Sequence, residues 1–312
     1  MSKIYKYTSL ESAVSILDSE SVVLKHPSEF NDLYDCVFKQ NEKDKKKIRK
    51  LLKDYTVLSI MVELTKADGA MDTGPVKFVK AELSILKKAL QKLPYYDGSP
   101  GLVLLYNQIA KKKPDIAKTI EEAFDKYQKQ LDDAIEDARK NALISCFSKR
   151  KDSLLMWSHY ADSHKGVCIE YERPDNDDFL DVIYQAKRPE AELYKAVSHA
   201  IALSIMSGGD LEAAHFENIK ELAKPFLVKS LEWKYEEEIR CLYLSNKYEK
   251  YGIIFDGKRY LINIGKPTSI YIGCRCGGSQ LRKLIKEAEK KNIRIVFMQQ
   301  SDKYFLVEEQ DG

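Results

Sequence analysis

Residues 41–140 are densely charged and carry apolar positions at helical period, while the segments before and after them have strand character. A sheet built from strands on both sides of such a stretch must be assembled from segments remote in sequence. The stretch therefore reads as a helical insertion into an α+β core. Gly69, Gly74-Pro75, Pro94 and Gly98-Ser99-Pro100-Gly101 punctuate it, and its last helix is expected over Lys113–Lys140. A second helical segment, Glu190 to Lys224, is broken at Gly208-Gly209 and bounded by Pro225.

Around the insertions the pattern predicts short strands. They fall at residues 3–8, 21–25, 142–148, 166–171, 235–244, 252–255, 259–264, 268–272, 294–298 and 304–307. Three helices accompany them. Thr8 and Glu11 suggest a capping box for a helix to Asp18, Leu154–Tyr160 a short second helix, and Gln280–Lys291 a third.

At 312 residues the chain is long enough for one large domain or two small ones. The expectation is one domain, 1–312, with helical insertions at 41–140 and 187–230. A net charge of +3 is too small to require a nucleic-acid partner. No apolar run approaches the roughly 20 residues that span a bilayer, and the N-terminus enters strand-like sequence directly, so a cytoplasmic protein without a membrane partner is expected. The six cysteines read as free thiols.

Three remote stretches carry the chemistry-bearing residues. They are Tyr7-Thr8, Met156 to Tyr160, and Trp233 to Arg240. In the last, strand alternation would place Lys234, Glu236, Glu238 and Arg240 on one face, with Trp233, Tyr235, Glu237 and Ile239 on the other. Trp157 and Tyr160 stand three apart on a helix and share a face. Their bland reading is core packing, favoured for Trp157, whereas ring contact with a ligand is favoured for Tyr160. Asn31, Asp32 and Asp35 form a polar cluster that is either an Asx-type turn or part of a site. His159 reads as a satisfied histidine. Cys274-x-Cys276 lacks the second ligand pair a zinc site needs, so no metal is assigned. Neither a phosphate-loop nor a dinucleotide-binding glycine pattern occurs.

Taken in order, Tyr5-Lys6-Tyr7-Thr8, Pro27-Ser28-Glu29-Phe30-Asn31-Asp32 with Asp35-Cys36, Ser145-Cys146-Phe147-Ser148, Met156-Trp157, Gly166 to Tyr171 and Trp233 to Arg240 resemble a bacterial family, domain of unknown function 2971. More loosely, the layout is similar to the NAD-dependent ADP-ribosyltransferase superfamily. That resemblance implies a core of short strands in a split β-sheet with two large helical insertions, and NAD as substrate. It implies Glu238 and Glu236 as catalytic residues, with Tyr7, Thr8, Asn31, Asp32, Phe147, Ser148, Trp157, Tyr160 and Arg240 lining the cofactor. The first strand lacks the superfamily's usual His or Arg. A toxin-like or phage-defence effector acting on a protein or nucleic-acid acceptor, with an inhibitory partner protein, is the corresponding biological expectation. Two other classes compete. One is a metal-dependent nuclease or phosphodiesterase using Asp32, Asp35, Glu236 and Glu238, with Lys234 or Arg240 on phosphate. The other is a non-catalytic recognition module.

Overall fold

Alternation along Lys3–Thr8, strand β1, sends Ile4 to one face of a sheet and Tyr5 and Tyr7 to the other. Seven further strands follow: β2 (Leu143–Ser148), β3 (Val167–Glu172), β4 (Phe179–Asp181), β5 (Glu238–Tyr243), β6 (Ser269–Ile272), β7 (Arg294–Gln300) and β8 (Val307–Glu309). They form one eight-stranded sheet in the order β8-β7-β6-β3-β1-β2-β5-β4. Helices α1 (Leu10–Ser19), α2 (Leu154–Tyr160) and α3 (Ser279–Lys290) belong with it. Among the described residues of this sheet only β6 and β7 run parallel, and α3 supplies the crossover that such a pair requires.

These coordinates come from a computed structural model that describes residues 2–67, 98–176, 178–191, 223–244, 247–304 and 307–310, plus isolated positions 81, 84, 193, 194, 197, 198 and 201. Within them the chain divides into two compact units. The first joins Met1–Val37, Lys140–Arg188 and Phe226–Gly312, and the second joins Phe38–Arg139 and Pro189–Pro225. The class is α+β, as expected.

The eight-stranded sheet narrows at one place, and Ile254–Phe255, Tyr260–Ile262 and Val22–Leu24 form a separate three-stranded sheet. β1 pairs with β3 from Lys3↔Glu172 to Thr8↔Val167, but with β2 only at Tyr5↔Ser148. Along this seam the Lys6 ammonium donates to Ser145 Oγ and to the Cys146 carbonyl, each at 2.9 Å, taking up a backbone acceptor that an unbroken ladder would have used. Ile144 pairs instead with Lys25.

One face of the sheet is the main core. Ile4, Phe147, Ile169, Tyr171, Ile239, Ile270 and Ile272 pack with Val14 and Leu17 of α1 and Leu284 of α3. Burying each such side chain stabilises the fold by about 1.5–3 kcal/mol relative to leaving it exposed. On the opposite face Tyr7, Cys168 and Tyr271 pack against Met156 and Trp157 of α2. Thr8 does not cap α1. It stays in the strand, and Ser9 Oγ accepts the Ser12 N–H at 3.3 Å instead. Gly166 is fixed by close approach, since a Cβ there would lie 2.2 Å from the Thr8 carbonyl oxygen.

In the second unit, helices Glu42–Ala67, Pro100–Lys112 and Pro114–Lys140 bury Leu51, Tyr55, Leu58, Leu102 and Ile120. The Asp44 carboxylate accepts the N–H groups of Leu193 and Tyr194, at 2.7 Å for Leu193, and so ties the unit's two chain segments together. Most of the helical pattern expected over 190–224 lies outside the described residues. No helix among the described residues is long and apolar enough to cross a membrane.

Candidate active site

Trp233–Arg240 is not one strand. Residues Leu231–Glu236 form a 3-10 turn capped by Ser230, Glu237 takes a left-handed conformation with φ 41°, and β5 begins at Glu238. The turn replaces alternation as the device that sets the side chains. It turns the Glu236 carboxylate inward, while Lys234 is exposed and Glu237 reaches Arg150 at 3.7 Å. Glu238 and Arg240 then follow the strand period, on the face opposite Phe147 and Ile239.

Five charged side chains meet behind this turn, each between 0% and 6% exposed: Asp35, Lys229, Glu236, Glu238 and Arg240. Arg240 is spent entirely on the protein. Its Nε and Nη2 bind the two Glu238 oxygens at 2.8 and 3.1 Å, Nη2 also reaches Asp35 at 2.6 Å, and Nη1 reaches the Phe226 carbonyl at 2.6 Å and Cys36 Sγ at 3.2 Å. Lys229 Nζ lies 2.5 Å from Glu236, 3.1 Å from Glu238 and 3.6 Å from Asp35. The remaining Glu236 oxygen accepts the Tyr160 hydroxyl at 2.5 Å. The Tyr184 hydroxyl accepts the Glu238 N–H at 2.8 Å.

Three carboxylates thus face two cations, and one negative charge is left over. The excess falls on Glu236. Burial and the neighbouring Glu238 outweigh Lys229 and push its carboxyl up to about 7. Glu238 goes the other way: burial opposes ionisation, but Arg240 and Lys229 hold it well below the usual carboxylate range. Lys229 is held charged despite its burial by Glu238, Glu236 and Asp35. Burial and the Glu236 charge keep the Tyr160 phenol protonated. One pair of carboxylates has been driven apart into a fixed anion and a group that exchanges its proton near neutrality, the pattern that separates acid-base roles in enzymes.

Beside Glu236 a run of half-buried to exposed rings reaches the surface. Trp233 and Tyr235 have centroids 6.0 Å apart, Tyr235 and His159 6.1 Å, and His159 and Tyr160 6.3 Å. Asn31 lies beside the Tyr160 hydroxyl.

The other expected site residues are placed differently. Tyr7 donates its hydroxyl to the Arg150 carbonyl at 2.8 Å and sets its ring edge-on to Trp157 at 5.3 Å, so it is wall rather than binding group. Trp157 is fully buried, with its indole N–H on the Lys151 carbonyl. Phe147 is in the main core on the far face of the sheet, and Thr8 lies on that same far side. Both are removed from the carboxylates. Ser148 is a latch: its hydroxyl donates to the Glu236 carbonyl at 2.7 Å and accepts the Arg150 N–H at 3.0 Å. Arg240, caged as above, has no donor left for a ligand. Asp32 makes the turn, accepting the Tyr34 N–H at 2.9 Å, and that turn carries Asp35 into the cluster. Lys229 and Tyr184 were missed. Lys229 had a signal, a lone charge in the apolar run Phe226-Leu227-Val228, whereas Tyr184 had none.

The magnesium-nuclease arrangement does not fit this donor set. Lys229 Nζ already stands where a cation bridging the carboxylates would be, Asp32 faces its own turn, and no group of three His, Cys, Asp or Glu among the described residues is disposed to hold a metal ion.

The fold and cluster define an α+β protein with a buried, charge-unbalanced carboxylate site. Residues 156–241 match the family model described as protein of unknown function (DUF2971), a segment that runs from α2 through Lys229 and Glu236 to Arg240. No curated protein matches the chain, and no solved structure does.

Proposed function

We propose that the first unit transfers ADP-ribose from NAD, with Glu236 as the reacting carboxylate and Glu238 as the fixed anion that sets its proton affinity. The observation that carries this reading is Glu236 itself, buried, pushed to about 7, and bonded to Tyr160 under a row of aromatic rings. Breaking the bond from ribose to nicotinamide develops positive charge at the ribose carbon, which a nearby carboxylate favours. Nicotinamide leaves with the bonding electron pair, an acceptor oxygen or nitrogen bonds the ribose carbon, and the acceptor's proton passes to Glu236. Tyr160 orients the carboxylate, and Tyr235, Trp233 and His159 offer faces for a flat ring. The acceptor, a protein or nucleic acid, and a toxin-like or phage-defence setting are supported by the superfamily resemblance alone.

The test is incubation of the full chain with labelled NAD and cell lysate. Nicotinamide release and label transfer are expected, reduced about 100-fold or more by Glu236→Gln at unchanged circular dichroism. No release at millimolar NAD sinks the proposal. A non-catalytic recognition role is favoured by one observation, the complete internal pairing of Glu238 and Arg240. In that case Glu236→Gln leaves partner binding intact.

A further inference from the structure

Helix Glu42–Ala67 of the second unit opens with a stripe of like charge. Lys43, Lys46, Arg49 and Lys50 are all exposed, and the helical period places them on one side, opposite the buried Ile48, Leu51, Leu52 and Tyr55. Lys46 stands at the centre, three residues from Lys43 and Arg49 and four from Lys50, so that each neighbour one turn away repels it. The first turns of a helix are also its positive end, where cations are disfavoured. None of the four takes part in a hydrogen bond or ion pair with a described residue, whereas Lys53, next along the stripe, is bonded to Glu121 at 3.2 Å. Asp44 and Asp54 are buried and accept the N–H groups of Leu193, Tyr194 and Ser99, which leaves Glu42 as the one exposed carboxylate between residues 42 and 54.

We propose that this stripe docks double-stranded nucleic acid through its phosphate backbone. The four side chains span about 10 Å of helix, and a duplex carries one negative charge about every 1.7 Å of its axis, so several phosphates come within their reach. A membrane grips a basic helix by an apolar face that inserts, and here that face is spent on the core of the unit. Single strands are held by stacking on aromatic rings, and the stripe has none. Asn41 Oδ1 already accepts the N–H groups of Lys43 and Asp44 at 3.0 and 3.1 Å, so the side chains and not the end of the helix carry the attraction. Contacts to phosphate alone read no bases. The stripe belongs to the second unit and stands independently of the reading given for Glu236.

Titration of a labelled DNA duplex of about 20 base pairs with the full chain, followed by fluorescence anisotropy, tests the proposal. Binding is expected at micromolar protein in about 50 mM salt, without regard to sequence, and log K should fall by about 3.6 for a tenfold rise in salt, about 0.9 for each of the four cations. Lys46→Gln combined with Arg49→Gln should lower that slope by about 2 and weaken binding about tenfold or more. The same variant should raise the urea midpoint, because like charges one turn apart are removed, so that weaker binding is not a loss of structure. No duplex binding at about 100 μM protein in low salt, an unchanged salt slope in the variant, or tighter capture by phosphatidylserine vesicles than by the duplex overturns the proposal.

Discussion

Arg240 shows what a single residue contributes to the site without touching a ligand. It cancels charge on Glu238 and Asp35 and fixes both in place, so that the remaining imbalance is carried by Glu236 alone. Arg240→Met should cost about 3–5 kcal/mol, because it leaves buried carboxylates without their partner. Urea unfolding measures this, and a loss within 1 kcal/mol of zero would mean the cluster is hydrated rather than sealed. In the sequence, Glu236, Glu238 and Arg240 were legible as a convergent set. The reason given, strand alternation, was only half right. A left-handed Glu237 cannot be read from its side chain, since glycine or asparagine would be the ordinary marker of that conformation.

Several short elements are legible in the sequence, among them the strands Val22–Leu24, Ile254–Phe255 and Tyr260–Ile262, and others are not. Helix Leu154–Tyr160 has the bounds the sequence indicated, because Ser153 caps it and accepts the Met156 N–H. The three-residue strands Phe179–Asp181 and Val228–Ser230 offer too few alternations to stand out, and the second of them carries Lys229. Contact between elements is equally hidden in sequence. Gly166 sits where the turn after α2 crosses the end of β1, and Gly166→Ala would drive a methyl group into the Thr8 carbonyl. A destabilisation of about 2–4 kcal/mol, read as a lowered thermal midpoint, is expected from the backbone shift required. An unchanged midpoint would show that β1 and this turn move apart freely.

Across the whole molecule the buried carboxylates impose a pH profile on stability. Glu236 in the folded state titrates at about 7, above the 4.5 of an ordinary glutamate, so between these values the folded chain holds a proton that the unfolded chain has released. Stability contributed there falls as pH rises from about 5 to 7. Glu238 is displaced below the ordinary range, and Glu170, bound by Lys3, Thr268 and Tyr271 against the effect of its burial, is held at about 2. Their contributions are complete above the ordinary glutamate value and drain away as pH falls. The urea midpoint should therefore decline from about pH 5 towards pH 8, and Glu236→Gln should flatten that decline while leaving the acid limb in place. An identical alkaline decline in the variant would assign it to other groups.

The division into an α+β unit and a helical unit corresponds to the changes of hydrophobic period along the chain. The joining of β1 to β2 by one ladder pair does not, since no local pattern encodes which strands become neighbours. The odd charge count behind Glu236 has a last implication. A cationic ring docking against that carboxylate would supply the missing positive charge itself, so the carboxyl would surrender its hydrogen ion on complex formation, and recognition of such a ligand would become a function of the acidity of the surrounding solution.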